Sequence, residues 1–140
     1  MWTNCKLFTE HIDKEIKYSR IKSNRKIWLK CGGFITIDKT EALTAIDVNS
    51  GKFTGKENLE KTALKVNKEA SVEIVKQLRL RDIGGIIIID YIDMDEEKSK
   101  KEIIETLKKE LKYDRSKTQI MEFTKLSLLE LTRKHMFSEE

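Results

Sequence analysis

Two aspartates, Asp47 and Asp90, are the side chains in this sequence best placed to do chemistry. Asp47 lies near the end of Ala42–Val48, a run whose β-branched content predicts a strand, and Asp90 terminates the run Ile86-Ile87-Ile88-Ile89. In a strand, residues two apart share a face, so Asp47 and Asn49 point the same way, with Leu43 and Ala45 behind them. A carboxylate joined to an apolar strand is costly to desolvate unless a cation or several donors meet it. If the two strands are neighbours, about 4.8 Å apart, both carboxylates reach one ion through oxygens at about 2.1 Å. Without an ion they repel, and one tends to take up a proton. Mg²⁺ suits such a pair, because it is commonly held by one or two carboxylates and takes further ligands from water and substrate phosphates. The chemistry this favours is phosphodiester hydrolysis, in which the metal polarises a phosphoryl oxygen and activates a water. The plainer alternative is that each aspartate forms a turn or caps a helix.

The elements that must position these residues are also legible. Lys26–Leu29, Phe34–Asp38 and Ala42–Val48 predict three strands in an antiparallel meander, punctuated by Gly32-Gly33 and by Gly51 with Gly55. From Glu57 to Arg81 the spacing becomes helical, with Leu59, Ala63, Val66, Ala70, Ile74 and Leu78 on one stripe. After Gly84-Gly85, the isoleucine run predicts a central strand covered on both faces. A second helix starts at Asp95, a candidate N-cap, and buries Ile103, Leu107 and Leu111. Thr118–Phe123 predicts a last strand, Leu126–Lys134 a closing helix, and Phe8–Tyr18 an opening one. The fold class is α/β, a single domain over residues 1–140 with a mixed sheet, the meander being followed by α-β-α-β-α crossovers. A strand, long helix and strand in succession make the two strands parallel, and the ligand crevice then lies at their carboxyl ends. Both aspartates sit there.

Composition excludes several classes. With 39% hydrophobic residues the chain is too rich in Ile, Leu and Val to be disordered, and 140 residues suit one domain. The longest apolar run, Gly84–Ile89, is far too short to cross a membrane, and no signal-peptide pattern opens the chain, so a cytoplasmic location without membrane partners is expected. Cys5 and Cys31 have no Cys or His at ligand spacing and are read as free thiols. The net charge of +4 is uneven: residues 1–56 hold 11 Lys and Arg against 6 Asp and Glu. The basic stretch Lys14, Lys17, Arg20, Lys22, Arg25, Lys26 and Lys30 is suited to phosphate backbones, or is simply a solvated face. His11 and His135 lack partners at nucleophile or ligand spacing and are assigned to surface or packing. Trp28, Phe34 and Tyr91 are each candidates to stack on a base; core packing is the favoured reading for Trp28 and Phe34, while Tyr91 divides evenly between the two.

The wording of three segments adds a resemblance. TEALTAIDVNSG, Thr40 to Gly51, closely resembles the catalytic core of the ribonuclease E/G family; QLRLRDIGGIIIIDYIDM, Gln77 to Met94, resembles its next motif; LLELTRKH, Leu128 to His135, is a weaker match. Asp47 and Asp90 stand 43 positions apart, as in the family pattern. The resemblance implies a deoxyribonuclease-I-like subdomain in which Asp47 and Asp90 bind Mg²⁺ and Asn49 supports them, all three serving catalysis. It implies an endoribonuclease that cuts single-stranded RNA, favours A/U-rich sites and 5′-monophosphorylated ends, and leaves 5′-phosphate products. Arg79, Arg81 and Asp82 fall inside the second motif; the arginines either contact RNA phosphate or, with Asp82, pack and cap the helix end. Lys117 stands where the family often has arginine and is a further candidate phosphate contact.

Members of that family also carry an OB-like RNA-binding domain, a 5′-phosphate sensor, a CPxC zinc link and a small dimerisation domain, none of which has a counterpart between Met1 and Glu140. The expectation is therefore a Mg²⁺-binding catalytic subdomain resembling one excised from a larger enzyme. The alternative is a non-catalytic RNA-binding or assembly fragment that keeps the motif for its fold. A deoxyribonuclease would need catalytic histidines near the carboxylates, and neither histidine lies near them in sequence.

Overall fold

A computed structural model describes residues 24–53 and 58–137. It contains β1 (Lys26–Trp28), β2 (Phe34–Lys39), β3 (Thr44–Asn49), α1 (Leu59–Leu80), β4 (Gly85–Asp90), α2 (Glu97–Leu111), β5 (Thr118–Phe123) and β6 (Leu128–Arg133). The six strands form one mixed sheet in the order β1-β2-β3-β4-β6-β5. β1, β2 and β3 make the expected antiparallel meander, and β3 and β4, joined through α1, are parallel. The second crossover, β4 to α2 to β5, leaves a gap that β6 fills, antiparallel to both of its neighbours. This is the mixed α/β single domain that the sequence predicts. Phe8–Tyr18 and most of the basic stretch lie outside the described residues.

Alternation decides what faces what. Ile35, Ile37, Ile46, Val48, Ile87, Ile89, Leu129 and Leu131 point to one side of the sheet and are buried beneath the two helices. α1 contributes Ala63, Val66, Ala70, Ile74 and Leu78, and α2 contributes Ile103 and Leu107, so the stripe read from the sequence packs except at Leu59, which opens α1 and is 85% exposed. Each fully buried Leu or Ile of this core stabilises the fold by about 1.5–3 kcal/mol. α1 starts at Asn58, whose side chain accepts from the Glu60 N–H at 3.0 Å. It ends in a turn closed by the Ile83 N–H on the Leu78 carbonyl at 3.0 Å, with Asp82 in the left-handed region at φ 47°.

Three local expectations are corrected. Leu126–Lys134 contains a strand where a helix was predicted: Leu129, Leu131 and Arg133 point inward and Glu130 outward, and the slot between β4 and β5 overrides the helix propensity of Leu and Glu. The isoleucine strand is covered on one face only, since Ile86 is 50% exposed and no described element lies over that side. Asp95 does not cap α2. The N-cap is Glu96, without a side-chain bond, and Glu60 of α1 accepts instead from the N–H groups of Asp95 and Glu96, both at 3.1 Å.

Candidate active site

On the uncovered face of the sheet, Asp47 of β3 and Asp90 of β4 are direct register partners. Ala45, Asp47 and Asn49 alternate outward with the buried Thr44, Ile46 and Val48, and Asp90 follows the inward-facing Ile89. Register continues across the sheet, so that Lys26, Thr36, Asp47, Asp90 and Leu128 form one row. Adjacent strands are about 4.8 Å apart, which sets the two carboxylates side by side. Burial, and next the like charge of Asp90, push the Asp47 carboxyl above the usual carboxylate range; the Val48 N–H and the more distant Arg25 pull the other way. Arg25 is itself tied to Asp38, its Nε donating to Oδ1 at 2.6 Å and Nη2 to Oδ2 at 2.9 Å.

The strand ends bearing these groups are held from beneath. After Asp90 the chain turns Tyr91 into the core, 4% exposed, with its hydroxyl 2.7 Å from Ser71 Oγ on α1. Ser71 in turn donates to the Asn67 carbonyl at 2.7 Å. The buried Asn67 side chain grips Ile92, donating to its carbonyl at 2.9 Å and accepting from its N–H at 3.1 Å. On β3, the Asn49 side-chain Oδ1 accepts from the Gly51 N–H at 3.0 Å, which fixes the side chain and leaves its amide NH₂ and one lone pair of Oδ1 for a ligand. A cleft does open at the carboxyl ends of β3 and β4, bounded by Ser50, Phe53, Asn58, Ile92 and Asp95, but its walls do not include Asp47 or Asp90.

The other candidates lie elsewhere. Arg79 and Lys117 sit where α1 ends and β5 begins, beside the start of β4 and about 17 Å along that strand from the Asp90 row. Arg81 is on the helix side of the sheet, its Nε donating to Gln77 Oε1 at 3.0 Å and its Nη2 to the Asn24 carbonyl. None of the three is brought beside the aspartate pair. Asp82 instead joins a cluster around Arg133, which is 3% exposed: Arg133 Nη1 donates to Asp82 at 2.9 Å, and Nε to Asp114 at 2.8 Å. Asp82 also accepts from the N–H groups of Met136 and Phe137, and these bonds hold its carboxyl down at about 2 against the opposing effect of burial. His135 packs against Gly84 at the same end.

Sequence reasoning missed Asn67, Ser71, Asp114 and Arg133. The signal available was a polar pair, four apart, inside the apolar stripe of α1. Two aromatic expectations are corrected: Trp28 and Phe34, expected in the core, lie on the open face of the sheet, Trp28 55% exposed and Phe34 half-buried; of the two readings of Tyr91, core packing holds, since it is buried and hydrogen-bonded. Cys31 is a free thiol, and among the described residues no group of three or more His, Cys, Asp or Glu is placed to hold a metal. Among the described residues no helix is long and apolar enough to cross a membrane.

Comparison with known proteins agrees with the motifs. The chain is 49% identical over 110 residues to ribonuclease G of Salmonella typhimurium (strain SL1344), which covers 79% of this chain and 22% of that protein. It is 48% identical over 110 residues to ribonuclease G of Escherichia coli (strain K12), with the same coverage. To ribonuclease E of Synechocystis sp. it is 50% identical over 109 residues, 78% of this chain and 16% of that protein. The chain thus spans about a fifth of the length of these relatives. Because the description of the Ribonuclease E/G family matches residues 3–136, almost end to end, the chain belongs to that family.

Proposed function

We propose that this chain supplies the Mg²⁺-holding part of an endoribonuclease active site that hydrolyses single-stranded RNA and leaves 5′-phosphate ends. The observation that carries the reading is the direct register of Asp47 and Asp90 on the open face of the sheet. Relatives named ribonuclease G and ribonuclease E supply the reaction class. The donor set fits the ion: two hard carboxylate oxygens, side by side, with burial and mutual repulsion already opposing the free anion at Asp47. Two protein carboxylates leave positions for water and a substrate phosphate, as Mg²⁺ requires.

Bound there, Mg²⁺ would polarise the phosphoryl oxygen and activate a water. The chain's own part is to hold the two carboxylates at fixed separation. Asn67, Ser71 and Tyr91 pin the strand end that carries Asp90, and the Asn49–Gly51 turn fixes the end of β3. The exposed face admits an extended strand of RNA without a pocket to enter, which suits cleavage within a chain. Hydrolysis breaks the phosphorus bond to the 3′ oxygen, so the phosphate stays on the 5′ side of the downstream product. Preference for A/U-rich sites and for 5′-monophosphorylated ends, and action in the cytoplasm, complete the proposal as properties of the whole enzyme.

The test is Mg²⁺-dependent cleavage of an A/U-rich oligoribonucleotide by Asp47→Asn and Asp90→Asn. Each variant should lose orders of magnitude in rate while keeping RNA affinity, because the lost stabilisation belongs to the transition state. The double variant should lose little beyond the worse single one. Normal cleavage by either overturns the shared site. RNA binding without cleavage by the unsubstituted chain would favour the binding or assembly fragment.

A further inference from the structure

Next to the carboxylate row lies a second row on the same face: Trp28, Phe34 and Asn49. The two rows are two residues apart, about 7 Å along the strands, and Phe34 is one strand from Asp47. The Trp28 and Phe34 rings meet edge to face with centroids 5.2 Å apart. Lys26, from the carboxylate row, reaches over both, its Nζ 4.2 Å from the Trp28 centroid and 4.0 Å from that of Phe34. Phe34 is buttressed by the turn at Gly51, where an added Cβ would come within 3.3 Å of its ring and 2.5 Å of the Gly32 carbonyl. That turn is the one Asn49 closes, so the platform and the end of β3 share one support.

An exposed tryptophan braced by a second ring, with an ammonium over both, carries the two functions a single-stranded nucleic acid needs: a face for a base and a charge for a phosphate. We propose that Trp28 and Phe34 form a stacking platform for a nucleobase flanking the phosphate at Asp47 and Asp90, with Lys26 moving from the rings to the adjacent phosphate. The exchange is favourable, because a cation over an exposed ring is worth about 2- to 5-fold in equilibrium terms and base stacking about 5- to 150-fold. Such contact tolerates any base. The inference rests on the reading of Asp47 and Asp90 as the metal pair.

The experiment titrates a short A/U-rich oligoribonucleotide, in EDTA to prevent cleavage, into the chain carrying Trp2→Phe, which leaves Trp28 as its one tryptophan. Trp28 fluorescence should be quenched on binding. Trp28→Ala should bind about tenfold more weakly with an unchanged salt slope, Trp28→Phe should recover most of the affinity, and Lys26→Gln should reduce the salt slope by about 0.7. Heparin, a polyanion without bases, should bind Trp28→Ala and the parent alike. Equal RNA affinity in Trp28→Ala and the parent, or an equal loss toward heparin, overturns the platform. Cleavage by Asp47→Asn, measured separately, tells the two readings apart. Normal RNA binding by Trp28→Ala with dead Asp47→Asn removes the platform alone, and weakened binding with active Asp47→Asn supports the platform while the carboxylate reading falls.

Discussion

Both hydrogen-bonding ends of the Asn67 side chain close on one residue, Ile92, donating to its carbonyl at 2.9 Å and accepting from its N–H at 3.1 Å. Asn67 is fully buried on α1, and Ile92 lies two residues beyond Asp90, so a helix side chain takes the place of a neighbouring strand where the ladder ends. The same helix turn holds Tyr91 through Ser71. The position of Asp90 is therefore set by α1 as well as by the sheet.

Asn67→Leu keeps the branched heavy-atom outline of the side chain and leaves the Ile92 N–H and carbonyl without the partners they have in Asn67. An unsatisfied buried main-chain group costs about 1–3 kcal/mol, so the variant should lose about 2–5 kcal/mol in urea denaturation. In any folded fraction, single-turnover cleavage should slow with little change in RNA affinity, because Asp90 is loosened while the binding face is intact. A variant as stable as the parent would show that water replaces the clasp.

Tyr91→Phe isolates one link of that seam. It removes a buried hydroxyl from Ser71, which keeps its own bond to the Asn67 carbonyl. The expected loss is about 1 kcal/mol in stability. RNA affinity, followed by fluorescence anisotropy, should not change; a clear loss would mean that the ring leaves the core to meet RNA.

How much of this was legible in the sequence differs between the two ends of the sheet. The aspartate pair was readable because each residue closes a run with strong strand character and a single long helix joins the two runs, which forces parallel neighbours. β6 was not, because Leu128-Leu129-Glu130-Leu131 satisfies helix propensity locally and only the slot between β4 and β5 selects the extended form. Trp28 was misplaced for a related reason: aromatic content predicts burial, but β1 has three residues at a sheet edge and nothing described covers its outer face. The Asp82–Arg133–Asp114 cluster joins residues 51 and 19 positions apart, and no local pattern announces such a partnership.

That cluster yields a stability prediction. Arg133→Met removes a buried cation and strands two carboxylates, one of them, Asp114, with a side chain only 2% exposed. Breaking such a network by removing one partner costs about 3–5 kcal/mol. The acid limb follows from the same bonds. Asp82 is held at about 2, and Asp114 is also lowered, though burial opposes both. A lowered carboxyl contributes stability above its unfolded value, near 4, and loses it as pH falls toward the folded value. Thermal denaturation of the parent should therefore weaken between about pH 4 and pH 2. Asp82→Asn should show a shallower decline, and an unchanged acid profile would mean that other carboxylates govern it.

The carboxylate row makes the opposite prediction. Asp47 is raised, first by burial and then by Asp90, so with no cation the folded chain carries a repulsion that unfolding relieves. Removing one of two like charges should then stabilise the protein. In EDTA, Asp47→Asn and Asp90→Asn should each melt at or above the parent, by up to about 1 kcal/mol for partly solvated charges near 5 Å. Adding Mg²⁺ should raise the parent's melting temperature in proportion to the logarithm of its concentration above the dissociation constant, since the ion binds the folded form. Neither variant should respond to the same degree. Differential scanning fluorimetry across a Mg²⁺ series separates the terms: if the variants are less stable than the parent in EDTA, the aspartates are structural caps, and if all three respond equally to Mg²⁺, the ion binds elsewhere on the chain.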